Sequence, residues 1–582
     1  MNHGVIAVVD CRGGDADCVF GCPFVQSDDG RYRLACDGGI YNATDVLKTV
    51  GTDDVDQRDV RSVMLCAYME RGEKCLELFN GHFAFVVWDS LERKMFVARD
   101  RFGAKPLAYF SGGGKAVFAT LQREVIRAAR ISQELDLKAL CEYLTFQNIF
   151  SGRTFFKGVR TFPAGHFATV DAAGKVDFRL YWDYRFEEPK SRLSEGEYVE
   201  ELSRLFEQAV RRQIGSSSDV GAYLSGGIDS GSVTAVASRY VPRMKTFTCG
   251  FDRSSSGGLE NAFDERESAE RMSYLYGTSH YEMVLKAGDM ERCMARIVRA
   301  IETPKVGQSY PNYYMASLVS KFVRRVLGGA GGDELFGGYP WRYYRIVANR
   351  DFDDYIDKYY DYWQRLMPNT VLQKVLAPIS GEVKDVWTRD IFKSVFDGNA
   401  SVPKTPEDYI NKSLYFEAKT FMPGLLEIDD KLHRVFGVSV LAPFLDNDMA
   451  DFAMKVPVGM KLGNLGEVLR INENEGGGKA AKYFQKTRDG KLLLRKAMKR
   501  FVPEDIADGV KKGFSAPDES WYKGDSIDFV RRKLLRRDAR IYDYLDAGET
   551  QRLVNEHLSG SVNRRLLIWS LLNFEYWLRM FG

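Results

Sequence analysis

Residues 220–224, Val-Gly-Ala-Tyr-Leu, run straight into Ser225-Gly226-Gly227-Ile228-Asp229-Ser230. An apolar run of strand length, then a double glycine, then a helical pattern from about Gly231, predicts the opening strand–turn–helix of an α/β unit. A strand that ends in two glycines lets backbone N–H groups close around an anion, and the following helix N-terminus adds positive potential. Ser225 and Ser230 can donate to the same oxygens. Asp229 would repel a bare phosphate, so its natural role is to hold a Mg²⁺ that bridges phosphates. The Gly-Lys-Ser/Thr ending of the Walker loop is absent. Gly-Gly alone would read as an ordinary turn; a second motif decides against that.

Downstream, the apolar run 323–327 leads into Gly328-Gly329-Ala330-Gly331-Gly332-Asp333-Glu334-Leu335-Phe336-Gly337-Gly338-Tyr339. So many glycines beside two carboxylates predict backbone packed tightly against a ligand, with Asp333 placed to share a metal with Asp229. The competing reading is glycines that only permit close chain packing.

Around these motifs the chain reads as two domains. Val199, Leu202, Leu205, Phe206, Ala209 and Val210 recur at helical spacing, and 245–250 is a further strand candidate. The polar stretch 186–196 (FEEPKSRLSEG) reads as a linker. Before it, apolar runs at 31–36, 83–88 and 94–98 alternate with Gly-rich turns, and a helix is expected over 59–70. The expected architecture is α/β and two-domain. Residues 1–185 form an antiparallel β-rich sandwich; residues 196–582 form a parallel sheet with many helices.

Length and composition agree with this division. The 582 residues exceed one typical core. With 82 Lys+Arg against 80 Asp+Glu, nothing asks for a nucleic-acid or membrane partner. No apolar stretch is long enough to span a bilayer and no basic leader is present, so a cytoplasmic location is expected. The nine cysteines fit reduced thiols better than a disulfide framework. Cys11, Cys18, Cys22 and Cys36 do not follow a zinc spacing and read as small buried residues.

Taken together, SGGIDS, GGDELFGGY and Ala442-Pro443-Phe444-Leu445-Asp446 resemble the asparagine synthetase B superfamily, which includes the β-lactam synthetases and lasso-peptide cyclases. Residues 39–42 (GIYN), 81–85 (GHFAF), 98–107 (ARDRFGAKPL), 163–166 (PAGH) and 263–265 (FDE) extend the resemblance over nearly the whole chain. It implies a glutaminase-like N-terminal domain of the Ntn-hydrolase type and an ATP-pyrophosphatase C-terminal domain. The implied reaction has two steps: a carboxylate attacks the α-phosphate of ATP, then an amine displaces AMP. Carried over by motif position, Ser225, Gly226, Gly227, Asp229 and Ser230 would bind pyrophosphate, and Asp229 and Asp333 would ligate Mg²⁺. Leu224, Cys249 and Gly329 would touch the nucleotide through backbone. Lys511, in Val510-Lys511-Lys512-Gly513-Phe514, matches the catalytic lysine, whose charge suits transition states with growing negative charge on phosphate and acyl oxygens.

Several positions depart from the family pattern. Asn2 or His3 stands where the nucleophilic cysteine is expected, and neither can form the thioester. Asp37-Gly38-Gly39 replaces an Asn-Gly that supplies an oxyanion donor. In the second domain Ala330 replaces a glutamate, Ser439 and Leu441 replace Glu and Arg, and Gly509 replaces an arginine. Loss of these charges around a substrate pocket marked by Ala330, Ser439 and Leu441 argues against aspartate, because a small zwitterion needs fixed charged partners.

The expected function is therefore ATP-dependent amide formation without glutamine hydrolysis. The substrates would be a small-molecule or peptide carboxylate and an amine, with ATP and Mg²⁺ as cofactors. An internal amine would give a lactam or macrolactam in a specialised pathway. Two alternatives stand beside it: amidation by free ammonia, including conversion of a uronic acid to its amide, and a non-catalytic scaffold with a relic ATP site. The second of the ammonia readings draws on 513–517 (GFSAP) and 564–570 (RRLLIWS). Homodimerisation stays open.

Overall fold

A computed structural model describes residues 4–10, 17–52, 55–191, 193–252, 264–307, 309–399, 401–466, 487–509 and 526–582. The chain divides into two compact units, residues 1–139 with 151–183, and residues 140–150 with 184–581.

The first unit holds a five-stranded and a six-stranded antiparallel sheet. The strand Gly81–Asp89 is buried along its full length, which is why it reads as an unbroken apolar run. Its alternation still decides the packing. Ala84, Val86 and Trp88 enter a core shared with Ala7, Val9 and Phe118 of the five-stranded sheet. Phe83, Phe85 and Val87 face the opposite way, against Leu47, Val63 and Met64 of two helices. One of these helices, Val60–Arg71, is capped by Asp59, whose carboxylate accepts from the Arg61 amide at 3.2 Å.

In the second unit the sheet is entirely parallel. Its order is Ser279–Leu285, Lys245–Phe251, Val220–Tyr223, Arg325–Leu327, Ser439–Leu441. Chain direction across the sheet reverses between Val220–Tyr223 and Arg325–Leu327. In open α/β sheets that switch point opens a crevice beyond the strands' carboxyl ends. SGGIDS follows the first of these two strands and the second glycine-rich motif follows the other. The two motifs, 98 residues apart in the chain if counted from Ser230 to Gly328, are thereby made neighbours.

Two boundaries differ from the sequence reading. The helix after SGGIDS starts at Ile228, not near Gly231, because Gly227 serves as its N-cap and brings Asp229 into its first turn. The second strand starts at Arg325, not Val323, because the Val323 amide bonds to Val319 O and closes the preceding helix.

The start of the expected linker is held by the second unit. The Glu187 amide donates to Met454 O, and Glu188 Oε1 accepts from the Val458 amide at 2.7 Å. The helix Glu195–Ile214 then begins with a capping box between Ser194 and Glu197. Lys461 is wholly buried here, with its ammonium 4.9 Å from the Phe186 ring centre and no hydrogen-bond partner among the described residues. Among the described residues no helix is long and apolar enough to cross a membrane.

Burial pushes the Lys461 amine down to about 7, against a smaller opposing pull from Glu188. The folded chain then binds fewer protons than the unfolded one between about pH 7 and 10. Stability from this site is present at high pH and is lost as pH falls through 7. Wild type should gain on the order of 2 kcal/mol between pH 7 and 9 relative to Lys461→Met. Urea unfolding of both proteins at the two pH values measures this; parallel pH profiles would contradict it.

Candidate active site

The strand Val220–Tyr223 hands over to the loop through Leu224, whose amide donates to Phe247 O at 2.9 Å. Its carbonyl accepts from Thr248 Oγ1. Beyond it the loop is closed on itself. Ser225 Oγ and Ser230 Oγ lie 2.7 Å apart, the Ser225 amide donates to Ser230 Oγ at 3.0 Å, and the Gly227 amide donates to Ser225 Oγ at 3.2 Å. Gly226 is forced by packing: a Cβ there would sit 2.3 Å from Ser268 Cβ. Cys249, one strand over, is buried, and burial pushes its thiol well up.

The second loop leaves Arg325–Leu327 with the Gly328 amide bonded to Leu441 O at 2.8 Å. It turns at Gly331, with φ +95°, into the short helix Gly332–Phe336. Its glycines are dictated by the carboxylates. A Cβ on Gly332 would lie 2.7 Å from Asp229 Oδ1, and one on Gly338 would lie 1.9 Å from Asp333 Oδ1. A Cβ on Gly329 would press on Asp229 Cβ at 2.9 Å. The loop thus packs directly on Asp229, which is the close chain packing that the competing reading of these glycines expects. Leu445 of the Pro-Phe-Leu-Asp element backs the turn, 2.5 Å from where a Gly331 Cβ would fall. Asp446 anchors that element by an ion pair to Arg212 at 2.7 Å.

Asp229 and Asp333 are brought together, and a lysine stands between them. Lys491 Nζ lies 2.5 Å from Asp229 Oδ2 and 2.6 Å from Asp333 Oδ1, with only 3% of its side chain exposed. Sequence reasoning missed this residue. Its one local signal is Gly490-Lys491 ahead of the helix Leu492–Met498. Lys491 caps that helix with φ +60°, a left-handed conformation costly for a side chain this size. Gly490 must be glycine, since a Cβ would fall 2.5 Å from Gly337 O. Arg495 fixes the segment by donating to Gly490 O at 2.9 Å and to Ala507 O at 2.8 Å.

The pair fits a divalent cation. Asp229 Oδ1 is buried with no hydrogen-bond partner among the described residues, so a hard oxygen ligand is left over there after Lys491 takes Oδ2. Glu334 is committed elsewhere. It accepts from the Gly331 amide at 3.2 Å and from Tyr339 Oη at 3.0 Å. Burial, reinforced by Asp333, pushes its carboxyl up to about 7. Tyr339 in turn stacks on Arg342, 3.8 Å from guanidinium carbon to ring centre.

The remaining expected residues fall into place unevenly. Ala330 is half-buried on the second loop, and Ser439 is half-buried at the start of its strand. Leu441 is buried and meets the loop through its carbonyl. Lys511 lies outside the described residues, as do Asn2 and His3. Gly509 accepts from Arg495 Nη1 at 2.8 Å. In the first unit Asp37-Gly38-Gly39 is part of the continuous strand Tyr32–Ile40, in register with Gly81–Asp89. Asp37 accepts from Thr120 Oγ1 at 3.1 Å, and that oxygen accepts from the Val5 amide at 2.9 Å.

A parallel-sheet unit with paired glycine-rich loops, joined to a two-sheet antiparallel unit, defines an α/β enzyme of two domains. Residues 201–579 match the asparagine synthase family and residues 2–182 the glutamine amidotransferase domain. The chain belongs to the asparagine synthase family, ATP-dependent carbon–nitrogen ligases that form AMP and pyrophosphate. It is similar to asparagine synthetase [glutamine-hydrolyzing] 1 of Bacillus subtilis (strain 168). The two are 26% identical over 607 residues, covering 98% of this chain and 88% of the other. A putative asparagine synthetase [glutamine-hydrolyzing] of Mycobacterium tuberculosis (strain ATCC 25618 / H37Rv) is 26% identical, covering 95% and 85%. The amidase chyE of Penicillium rubens is 24% identical, covering 87% and 79%.

Removing Lys491 leaves two carboxylates, Asp333 buried and Asp229 half-buried, facing each other without the ammonium between them. Lys491→Met should cost about 3 kcal/mol of stability in metal-free buffer. Mg²⁺ should restore much of that loss, because a dication can replace the ammonium. Thermal unfolding with and without millimolar Mg²⁺ tests this; equal Mg²⁺ responses in variant and wild type would contradict it.

Proposed function

We propose that this chain activates a small-molecule or peptide carboxylate as its acyl-adenylate and joins it to an amine that does not come from glutamine. An amine within the same substrate, giving a lactam or macrolactam, is the favoured case. The observation that carries the reading is the Asp229–Lys491–Asp333 cluster at the switch point of the parallel sheet.

In the first step a substrate carboxylate oxygen attacks the α-phosphorus, the bond to the bridging oxygen breaks, and pyrophosphate leaves. In the second, the amine nitrogen attacks the acyl carbon, loses a proton, and AMP departs. Asp229 and Asp333 would hold a Mg²⁺ that neutralises charge on the leaving pyrophosphate. The Ser225–Ser230 loop supplies amides and hydroxyls to the same oxygens. Were Asp229 and Asp333 to hold a metal, the Lys491 ammonium would be free to pair with phosphate. Lys511 is assigned the second positive charge, at the acyl–phosphate junction, by its motif alone.

Independence from glutamine is supported by the first unit. Asp37 stands where an asparagine donor is expected. A carboxylate there repels an oxyanion rather than stabilising it. The similarity to asparagine synthetases favours a second reading, in which free ammonia is the amine.

Purified full-length protein, Mg²⁺-ATP and a panel of carboxylates and amino acids test both readings. Pyrophosphate and AMP should appear one for one, at a rate unchanged by glutamine, and Asp229→Ala should lower that rate by at least ~100-fold, about 2.7 kcal/mol. Strong stimulation by ammonium would favour the second reading. Glutamine-dependent turnover with release of glutamate would overturn the first.

A further inference from the structure

The strand Val220–Tyr223 ends on a phenol that the glycine-rich loops do not use. Tyr223 Oη is hydrogen-bonded to His433 Nε2, in the last turn of the helix Met422–Arg434. The other ring nitrogen, Nδ1, lies 2.7 Å from Asp429 O and 3.2 Å from Asp429 Oδ1. A carbonyl and an ionised carboxylate only accept, so Nδ1 carries the hydrogen and Nε2 is left to accept from the Tyr223 hydroxyl. Asn312 Nδ2, from the helix Tyr310–Val319, donates to Asp429 Oδ1 at 3.2 Å and fixes the carboxylate. Phenol, imidazole and carboxylate thus form a directed chain.

The other charges on this helix are taken, which leaves Asp429 as the counter-ion of His433. Asp430 is paired with Arg434 at 2.8 Å. Lys431 turns to Glu427 at 2.9 Å and to Glu302 at 3.6 Å, and Lys305 takes the second Glu427 oxygen. From the sheet come Tyr223 and its neighbour Cys249. Burial pushes both well above their ordinary values, so both stay neutral. Burial also works against charge on His433, but Asp429 outweighs it and raises the imidazole above 6.5.

The phenol end of the chain is the end nearer the crevice. Tyr223 is the last residue of the strand that delivers the Ser225–Ser230 loop, and it is half-buried while His433 is only 1% exposed. Tyr223 is in register with Phe247, so Cys249, two residues further on, stands beyond the strand's end and level with Ser225. The Tyr223 hydroxyl is within electrostatic reach of Cys249.

We propose that Tyr223, His433 and Asp429 are the proton relay of amide formation, taking the proton that the amine loses as its nitrogen bonds to the acyl carbon. The relay rests on the proposed adenylation and names the base for its second step. The amine N–H proton passes to Tyr223 Oη while the phenol's own hydrogen passes to His433 Nε2. Tyr223 ends the step as a phenol, and His433 ends it as an imidazolium held by Asp429. AMP leaves with the electron pair of the acyl–phosphate bond, and the imidazolium then gives its proton to solvent. A phenol as weakly acidic as Tyr223 is no resting base, so the shuttle needs the imidazole behind it. Asp429 acts only through His433 and is a positioning residue.

Two measurements on full-length protein test the relay. The first needs no substrate: histidine nitrogen NMR spectra across pH, with His433→Gln to assign the His433 signals. His433 should appear as the Nδ1–H tautomer and titrate above 6.5, and Asp429→Asn should move that titration to lower pH. An Nε2–H tautomer, or an unchanged titration in Asp429→Asn, would overturn the chain. The second compares ATP–pyrophosphate exchange, which reads adenylation, with amide formation, over candidate carboxylates with amino acids or ammonium chloride as amine. Tyr223→Phe and His433→Gln should lower amide formation about 100-fold or more while exchange changes less than threefold. The wild-type rate of amide formation should rise with pH as His433 loses its proton. Equal losses in exchange and amide formation would reveal a structural role and overturn the relay, as would unaltered amide formation in Tyr223→Phe. Absence of exchange with every acid, beside the expected histidine titration, would instead overturn the adenylation reading from which the relay takes its proton.

Discussion

Two carboxylates, Asp229 and Asp333, are held within reach of one buried ammonium, and much of the second unit is arranged around that fact. Like charges this close in a poorly solvated cleft repel strongly, so the cluster exists only while a cation lies between them. Lys491 is that cation here, and it reaches the cleft from a left-handed backbone position that the Arg495 hydrogen bonds stabilise. A divalent ion bound to phosphates presents a similar charge at the same place. In the proposed adenylation, exchange between the two would give the cleft a metal-free form and a nucleotide-bound form.

The same constraint explains the glycines. Gly329, Gly332 and Gly338 each lie where a methyl group would strike one of the two aspartates or its neighbours. Gly331 gives way to Leu445, and Leu445 is placed by the Asp446–Arg212 pair. A motif near residue 445 therefore acts on the loop near residue 331 by steric support. The parallel sheet makes this possible, since its central strands deliver both loops to one crevice.

Much of this was legible in the sequence because the groups concerned are contiguous. Strand, glycine turn and acidic residue occur within eleven residues at SGGIDS, and the spacing of Val199 to Val210 marks the helix that Ser194 caps. The strand Gly81–Asp89 was legible as a strand, but its burial on two faces depends on partners far along the chain. Lys491 could not be read the same way: a single lysine 262 residues from Asp229 carries no local pattern. The helix start at Ile228 was misplaced because a glycine can cap a helix as readily as it can break a strand.

In the proposed reading Asp229 and Asp333 would form a metal–pyrophosphate cleft, which Lys491 fills in the absence of nucleotide. A crystal structure with Mg²⁺ and a non-hydrolysable ATP analogue tests it most directly. The account predicts a metal ligated by both aspartates, the β- and γ-phosphates on the Ser225–Ser230 loop, and Lys491 Nζ moved onto phosphate oxygen. Nucleotide bound elsewhere, with Lys491 still bridging the two carboxylates, would contradict it.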